Sequence, residues 1–252
     1  MSWTDVLIFV ASLAAIALAL RLVQRYVPHP HRERHNEVAG FIFAGVGVLY
    51  AVLLGFVVVS VWSGVGAAQQ TTFNEADSLA GVYWISRSLP LPLGAQIEHE
   101  TLDYATTVEN DEWPLMEKHR SSPAATDLVY AIRASVLSYQ PTTMQQQVLY
   151  DHAVTDVENL ASARRERLDE VQDSVPPILW VALIIGAVLT IGFTFLFGMS
   201  NSVAHGLMVL VLGALVVASL ILIKEMDYPF AGVTKVDPTA FQVFLSRLPP
   251  PR

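Results

Sequence analysis

Residues 38–62 read Val-Ala-Gly-Phe-Ile-Phe-Ala-Gly-Val-Gly-Val-Leu-Tyr-Ala-Val-Leu-Leu-Gly-Phe-Val-Val-Val-Ser-Val-Trp, 25 positions without a charge. A bilayer core is crossed by roughly 20 apolar helical residues, so this stretch is expected to span a membrane. A second pattern runs through it. Gly40, Ala44, Gly47, Ala51 and Gly55 recur at spacings of four, three, four and four, which puts them on one helix face. In lipid, small residues on one face let a neighbouring helix approach closely. Phe43, Leu49, Leu53 and Val57 are assigned to the opposing side. The stripe is either a packing seam inside one bundle or the lining of an axis shared by several copies.

Composition agrees with a membrane protein. Of 252 residues, 53% are hydrophobic and only 15% charged, against about 25% charged in ordinary soluble domains. There is no cysteine, which removes disulfides, thiolate metal sites and cysteine nucleophiles. The net charge of −8 argues against nucleic acid, whose binders present a basic face. The acidity is concentrated: residues 63–175 hold 7 Lys and Arg against 17 Asp and Glu, and the remainder holds 8 against 6.

Outward from the central stretch, a first span is expected over about 6–23, retained rather than cleaved because Asp5 precedes the apolar run and Arg21 and Arg25 follow it. The connection 21–37 carries Arg21, Arg25, Arg32, Arg34, His29, His31 and His35. Pro28 and Pro30 should hold it extended and scatter the histidines, so a basic loop at anionic lipid is favoured over a metal site. Helices are expected over 66–89, about 93–112, from Pro123 to about Tyr139, and from Pro141-Thr142 to about Asp173. Two further spans follow, over about 178–197 and 203–223. In the first of these Gly186, Thr190 and Thr194 share a small, mildly polar face. Phe241, Phe244, Leu245 and Leu248 at i, i+3, i+4 and i+7 mark a short amphipathic helix, opened by Asp237-Pro238 and lying on the membrane surface or docked on the bundle.

The fold class read here is all-α: an integral membrane protein of four transmembrane helices with a helical polar domain between spans two and three. Its divisions are a first hairpin over 1–65, an acidic helical domain over 66–175, a second hairpin over 176–226 and a tail over 227–252. Phosphate loops, HExxH and Gly-x-Ser-x-Gly motifs are absent from the sequence. No nucleophile–base pair or metal set is visible, so an enzyme is not expected, nor is a cofactor. The acidic run Glu109-Asn110-Asp111-Glu112 lacks calcium-loop spacing and reads as a solvated helix end, the alternative being that Glu112-Trp113-Pro114 anchors the domain near the membrane interface. No charge lies deep in a span, which disfavours a proton-coupled transporter but allows an apolar pore.

Asn36 through Val59, with Ala39-Gly40-Phe41 and Leu49-Tyr50-Ala51-Val52-Leu53-Leu54-Gly55-Phe56, resembles a family of bacterial four-span proteins called bestrophin-like. Glu75-Ala76 with Leu79 and Tyr83, Tyr104, Glu112-Trp113-Pro114, Pro176-Pro177 with Trp180, Thr190, Phe197-Gly198 and Asp227-Tyr228-Pro229-Phe230-Ala231-Gly232 extend the resemblance over nearly the whole chain. It implies a likeness to pentameric chloride channels whose second span lines an apolar neck, and so a homo-oligomer among membrane lipids, passing chloride or another anion. The calcium clasp that follows the fourth span in bestrophins proper is not matched, because 224–232 holds only two acids, Glu225 and Asp227. The resemblance puts the polar domain in the cytosol. The arginines of 21–37 favour the opposite side, and Arg164, Arg165, Arg167 and Lys224 offset them. The pore or helix-packing candidates are Gly40, Phe41, Phe43, Ala44, Gly47, Val48, Tyr50, Ala51, Gly55, Phe56, Thr190 and Thr194. The alternative is a membrane-anchored scaffold acting through its acidic domain.

Overall fold

The computed structural model describes residues 2–249. All its regular elements are helical: α1 (Trp3–Tyr26), α2 (His29–Glu33), α3 (Asn36–Ser86), α4 (Leu93–Thr107), a π-helical turn (Val108–Glu112), α5 (Trp113–Met116), α6 (Pro123–Leu137), α7 (Met144–Glu170), α8 (Pro177–Thr194), α9 (Ser202–Met226) and α10 (Thr239–Arg247). Helices α1, α3, α8 and α9 are long and apolar enough to cross a membrane. The chain divides into a membrane unit, 1–63 with 174–227, and a polar unit, 64–173 with 228–252.

In the membrane unit α1 lies antiparallel to α9. Asp5 accepts from Lys224 at one end, 2.8 Å, and Gln24 meets His205 at the other, 3.4 Å. Between them the helices cross closely, because a Cβ on Gly213 would lie 2.8 Å from Ile16 Cδ1. The N-terminus of α1 is closed by a Ser2–Asp5 capping box, which satisfies donors that lipid cannot. Helix α3 packs on α8 through Tyr50, whose ring fills the notch at Gly186 and joins Ala187, Ile191 and Val216 in a small apolar core. Trp180 and the Val175 amide both donate to Asp227.

The connection 21–37 differs from the extended loop expected. Arg21 and Arg25 belong to α1, and His29–Glu33 forms a helical turn with proline in its first turn. Proline's fixed φ and missing N–H suit that position. Among the described residues no group of three or more His, Asp or Glu could hold a metal.

In the polar unit, helices α4, α6 and α7, with the α3 residues from Gly64 onward, enclose one core centred on Leu79, Tyr83, Ile97, Tyr104, Ile132 and Leu160. Ser122 caps α6, and α7 starts at Met144, just after the expected Pro141-Thr142, with Thr143 and Gln146 forming its capping box. Helix α10 lacks the Asp237 cap, and Pro238 stands at its N-cap without a side-chain bond. The segment 228–249 is not a separate tail. Phe230, Phe241 and Phe244 are core residues of the polar unit, and Trp113 Nε1 donates to Val236 O, 3.0 Å. An amphipathic stripe needs an apolar partner and does not specify which, and here Trp113, Tyr83 and Tyr104 supply it through edge-to-face ring contacts.

Candidate functional site

Helix α3 carries the main candidate surface. Phe41 (86% exposed), Val48, Val52, Phe56 (73%) and Val59 are exposed and follow one another at helical spacing along one side. Ala44, Ala51 and Gly55 are exposed as well, and Gly47 is half-buried. A Cβ at Gly47 or Gly55 would meet nothing within 4 Å. From Ala44 to Gly55 the small-residue stripe is therefore unfilled within one protomer. The remaining candidates lie inside the bundle: Gly40 against Phe197, Phe43 stacked with Phe193 and edge-on to Phe197, and Tyr50 buried at Gly186. Thr190 and Thr194 are buried too, and the Thr194 hydroxyl donates to Ile191 O. The two sets differ because a 100° step per residue puts 43 and 50 on a side facing α8 and puts 41, 48 and 56 away from it.

The polar unit holds a second arrangement that the sequence reading did not find. Glu75, Glu112 and Arg167 are fully buried and Arg164 nearly so. Arg164 grips Glu112 with Nη1–Oε2 2.5 Å and Nη2–Oε1 2.8 Å. Arg167 reaches Glu75 through Nε–Oε2 2.5 Å and Nη2–Oε1 2.9 Å, and it bridges to Glu112 Oε2 at 2.9 Å. Tyr104 donates to Glu75, and the Ser122 amide donates to Glu112. Two carboxylates face two guanidiniums, so the cluster is neutral as a whole, the condition for burying charge without a large desolvation cost. Burial alone would raise the Glu112 carboxyl, but hydrogen bonds from Arg164 and the charge of Arg167 hold it below the usual carboxylate range.

This corrects three expectations. Glu112 is not a solvated helix end, Trp113 is buried rather than an interface anchor, and Arg164 and Arg167 are not free flanking charges for the third span. The signal was present in the sequence. The buried line of α7 is Ala153, Val157, Leu160, Arg164, Arg167 and Val171, and that of α3 is Ala68, Thr72, Glu75, Leu79, Val82 and Ser86. Both alternate spacings of four and three, so Glu75, Arg164 and Arg167 stand at core positions.

Glu170, one turn beyond Arg167, accepts from the Thr71 hydroxyl at 3.1 Å, and its Oε2 is buried without a partner. Burial pushes this carboxyl up to about 7; Glu166 and Asp173 add to the shift, and Thr71 and Arg167 oppose it. An acid whose folded value is raised favours the protonated fold. Its contribution is complete below about 4.5 and is lost as pH rises through about 7. E170Q is therefore expected to match the wild type at pH 5 and to exceed it at pH 8 by on the order of 1 kcal/mol, after discounting for partial solvation. Thermal melts at the two pH values check this, and a lower melting point for E170Q at pH 8 would refute it.

Four apolar spans carrying a helical polar unit define a multi-pass integral membrane protein. The sequence profile of the Bestrophin-like domain matches residues 10–241, and the chain belongs to the Bestrophin-like family. Among solved structures, a point variant of a bacterial bestrophin homolog from Klebsiella pneumoniae is similar at TM-score 0.73 and 13% identity, covering 94% of this chain and 98% of that one. A second structure of a bestrophin homolog from the same organism gives 0.71 and 13%, covering 94% and 96%. A variant membrane protein gives 0.71 and 14%, covering 94% and 96%. At such identities the likeness is one of fold. No curated protein sequence matches the chain.

Proposed function

We propose that this protein is the subunit of a homo-oligomeric anion channel in the cell membrane, with the outward face of α3 turned toward the shared axis. The observation that carries the reading is that face itself. It is uncharged from Val38 to Trp62, large and apolar at Phe41, Val48, Val52 and Phe56, and flanked by glycines that nothing in the protomer fills. Small residues allow copies to approach. Rings of apolar side chains around an axis gate by wetting and drying, without charges that would bind an ion too tightly to release it. The crystal structures of bestrophin homologs with the same fold support the reading.

The test is reconstitution into liposomes with a halide-flux assay and a mass measurement of the oligomer. Wild type is expected to pass halide, and Phe56→Ser to pass several-fold more at unchanged oligomer mass, because a polar side chain eases wetting of the constriction. Confirmed insertion with no flux above empty vesicles, or a monomeric mass, would remove the channel.

A further inference from the structure

Arg32, in the connection between the first two spans, is a buried cation without a counter-charge. It is 7% exposed, and its Nη1 donates to Phe195 O at 2.9 Å and to Phe197 O at 3.1 Å. Asn36 fixes the same turn, donating to Gly198 O at 2.7 Å and accepting from Gly198 N at 2.9 Å. The guanidinium is thus held by backbone at the C-terminus of α8, where the helix dipole offers only about half a negative charge. No carboxylate pairs with it among the described residues. Both protons of Nη1 are used, while Nε is shielded and has no acceptor. Nη2 makes no hydrogen bond among the described residues, and it is the donor left to hold a phosphate or carboxylate through a charge-assisted hydrogen bond.

Location narrows the occupant. Arg32 lies where α1 ends and α3 begins, which for two membrane spans is the depth of lipid headgroups. Arg34 is exposed on the same connection, Arg21 and Arg25 are exposed in the last turns of α1, and basic residues beside a span attract anionic lipid. We propose that Arg32, assisted by Arg34, binds a phosphate group, carried by the headgroup of an anionic phospholipid or free in solution. The site is independent of conduction and stands whether or not the protein passes anions.

The full chain in neutral detergent is titrated with phosphatidylglycerol, phosphatidylcholine and inorganic phosphate, with bound lipid counted by native mass spectrometry and melting temperature followed in parallel. Phosphatidylglycerol is expected to bind about tenfold more tightly than phosphatidylcholine, whose choline cation offsets the phosphate charge beside Arg32 and Arg34. Arg34→Gln and Arg32→Gln should each erase most of that preference, while Arg133→Gln, an exposed arginine of the polar unit, should leave it unchanged. Displacement of the lipid by inorganic phosphate at similar concentration assigns the site to the free ion, and failure to displace it assigns the site to lipid. Equal binding of the two lipids with no effect of phosphate overturns the proposal. A preference that survives Arg34→Gln also overturns it, and that variant decides the question alone should Arg32→Gln fail to fold.

Discussion

Arg167→Met is expected to lower the stability of the polar unit by about 3–5 kcal/mol, the cost of removing one partner from a buried ion pair. Methionine fills much of the arginine's volume, so the loss is electrostatic rather than a cavity. Glu75 would keep only the Tyr104 hydroxyl, and Glu112 only Arg164 and the Ser122 amide. The guanidinium also lies 5.3 Å from the Trp113 ring centroid, which makes tryptophan fluorescence a direct reporter. For a unit of this size the melting temperature should fall by roughly 10–20 °C. The double variant Glu75→Leu with Arg167→Met should recover a good part of this, because an apolar pair leaves no unpaired charge beyond Glu112, which Arg164 still holds. Acid gives an independent readout. With its folded value depressed, Glu112 contributes stability above about 4.5 that disappears as pH falls through that depressed value. The wild type should therefore lose stability steeply in acid, and Arg167→Met should lose less, having less to lose. Melting temperatures within 2–3 °C of one another at pH 7, on the order of 1 kcal/mol, would show that the network contributes little.

Gly186→Ala should be the most disruptive single methyl in the membrane unit. A Cβ there would lie 2.5 Å from Tyr50 Cδ2 and 2.7 Å from Cε2, well inside van der Waals contact. The ring cannot yield cheaply, because Tyr50 is 7% exposed and wedged among Ala187, Ile191 and Val216. Overpacking of this kind costs about 1–3 kcal/mol, and here it would force α3 away from α8. The expected result is a lower melting temperature in detergent, together with reduced halide flux if α3 lines the conducting path. Tyr50→Leu removes the offending ring edge, so the double variant should regain at least half of the lost stability. Tyr50 OH has no hydrogen-bond partner, so the rescue sacrifices no polar contact. An additive loss in the double variant would mean that the two residues do not meet as described.

The four spans and the all-helical class were legible in the sequence because lipid imposes a requirement that shows in composition: about 20 uncharged residues at each crossing, with every backbone group satisfied inside the helix. The helix ends were legible within a few residues where Ser122-Pro123 and Pro176-Pro177 set them. The α3 boundary was not, because the chain runs helically through 63–66, where composition changes from apolar to polar without any breaker stronger than glycine. In the polar unit, apolar spacing marks only part of the buried lines. Phe73, Ala76, Ala80 and Tyr83 of α3 do pack in the core, but its fully buried line also passes through Glu75, and that of α7 through Arg164 and Arg167.

The sequence by itself determined that this chain lives in a membrane, how many times it crosses, and that its acidic middle is helical, since each follows from local composition and spacing. Tertiary structure alone decided which charges are buried in pairs, which side of α3 is left bare, and where 228–249 docks. Those outcomes depend on residues 50 to 160 positions apart in the chain, and a carboxylate reads the same in sequence whether it meets water or an arginine.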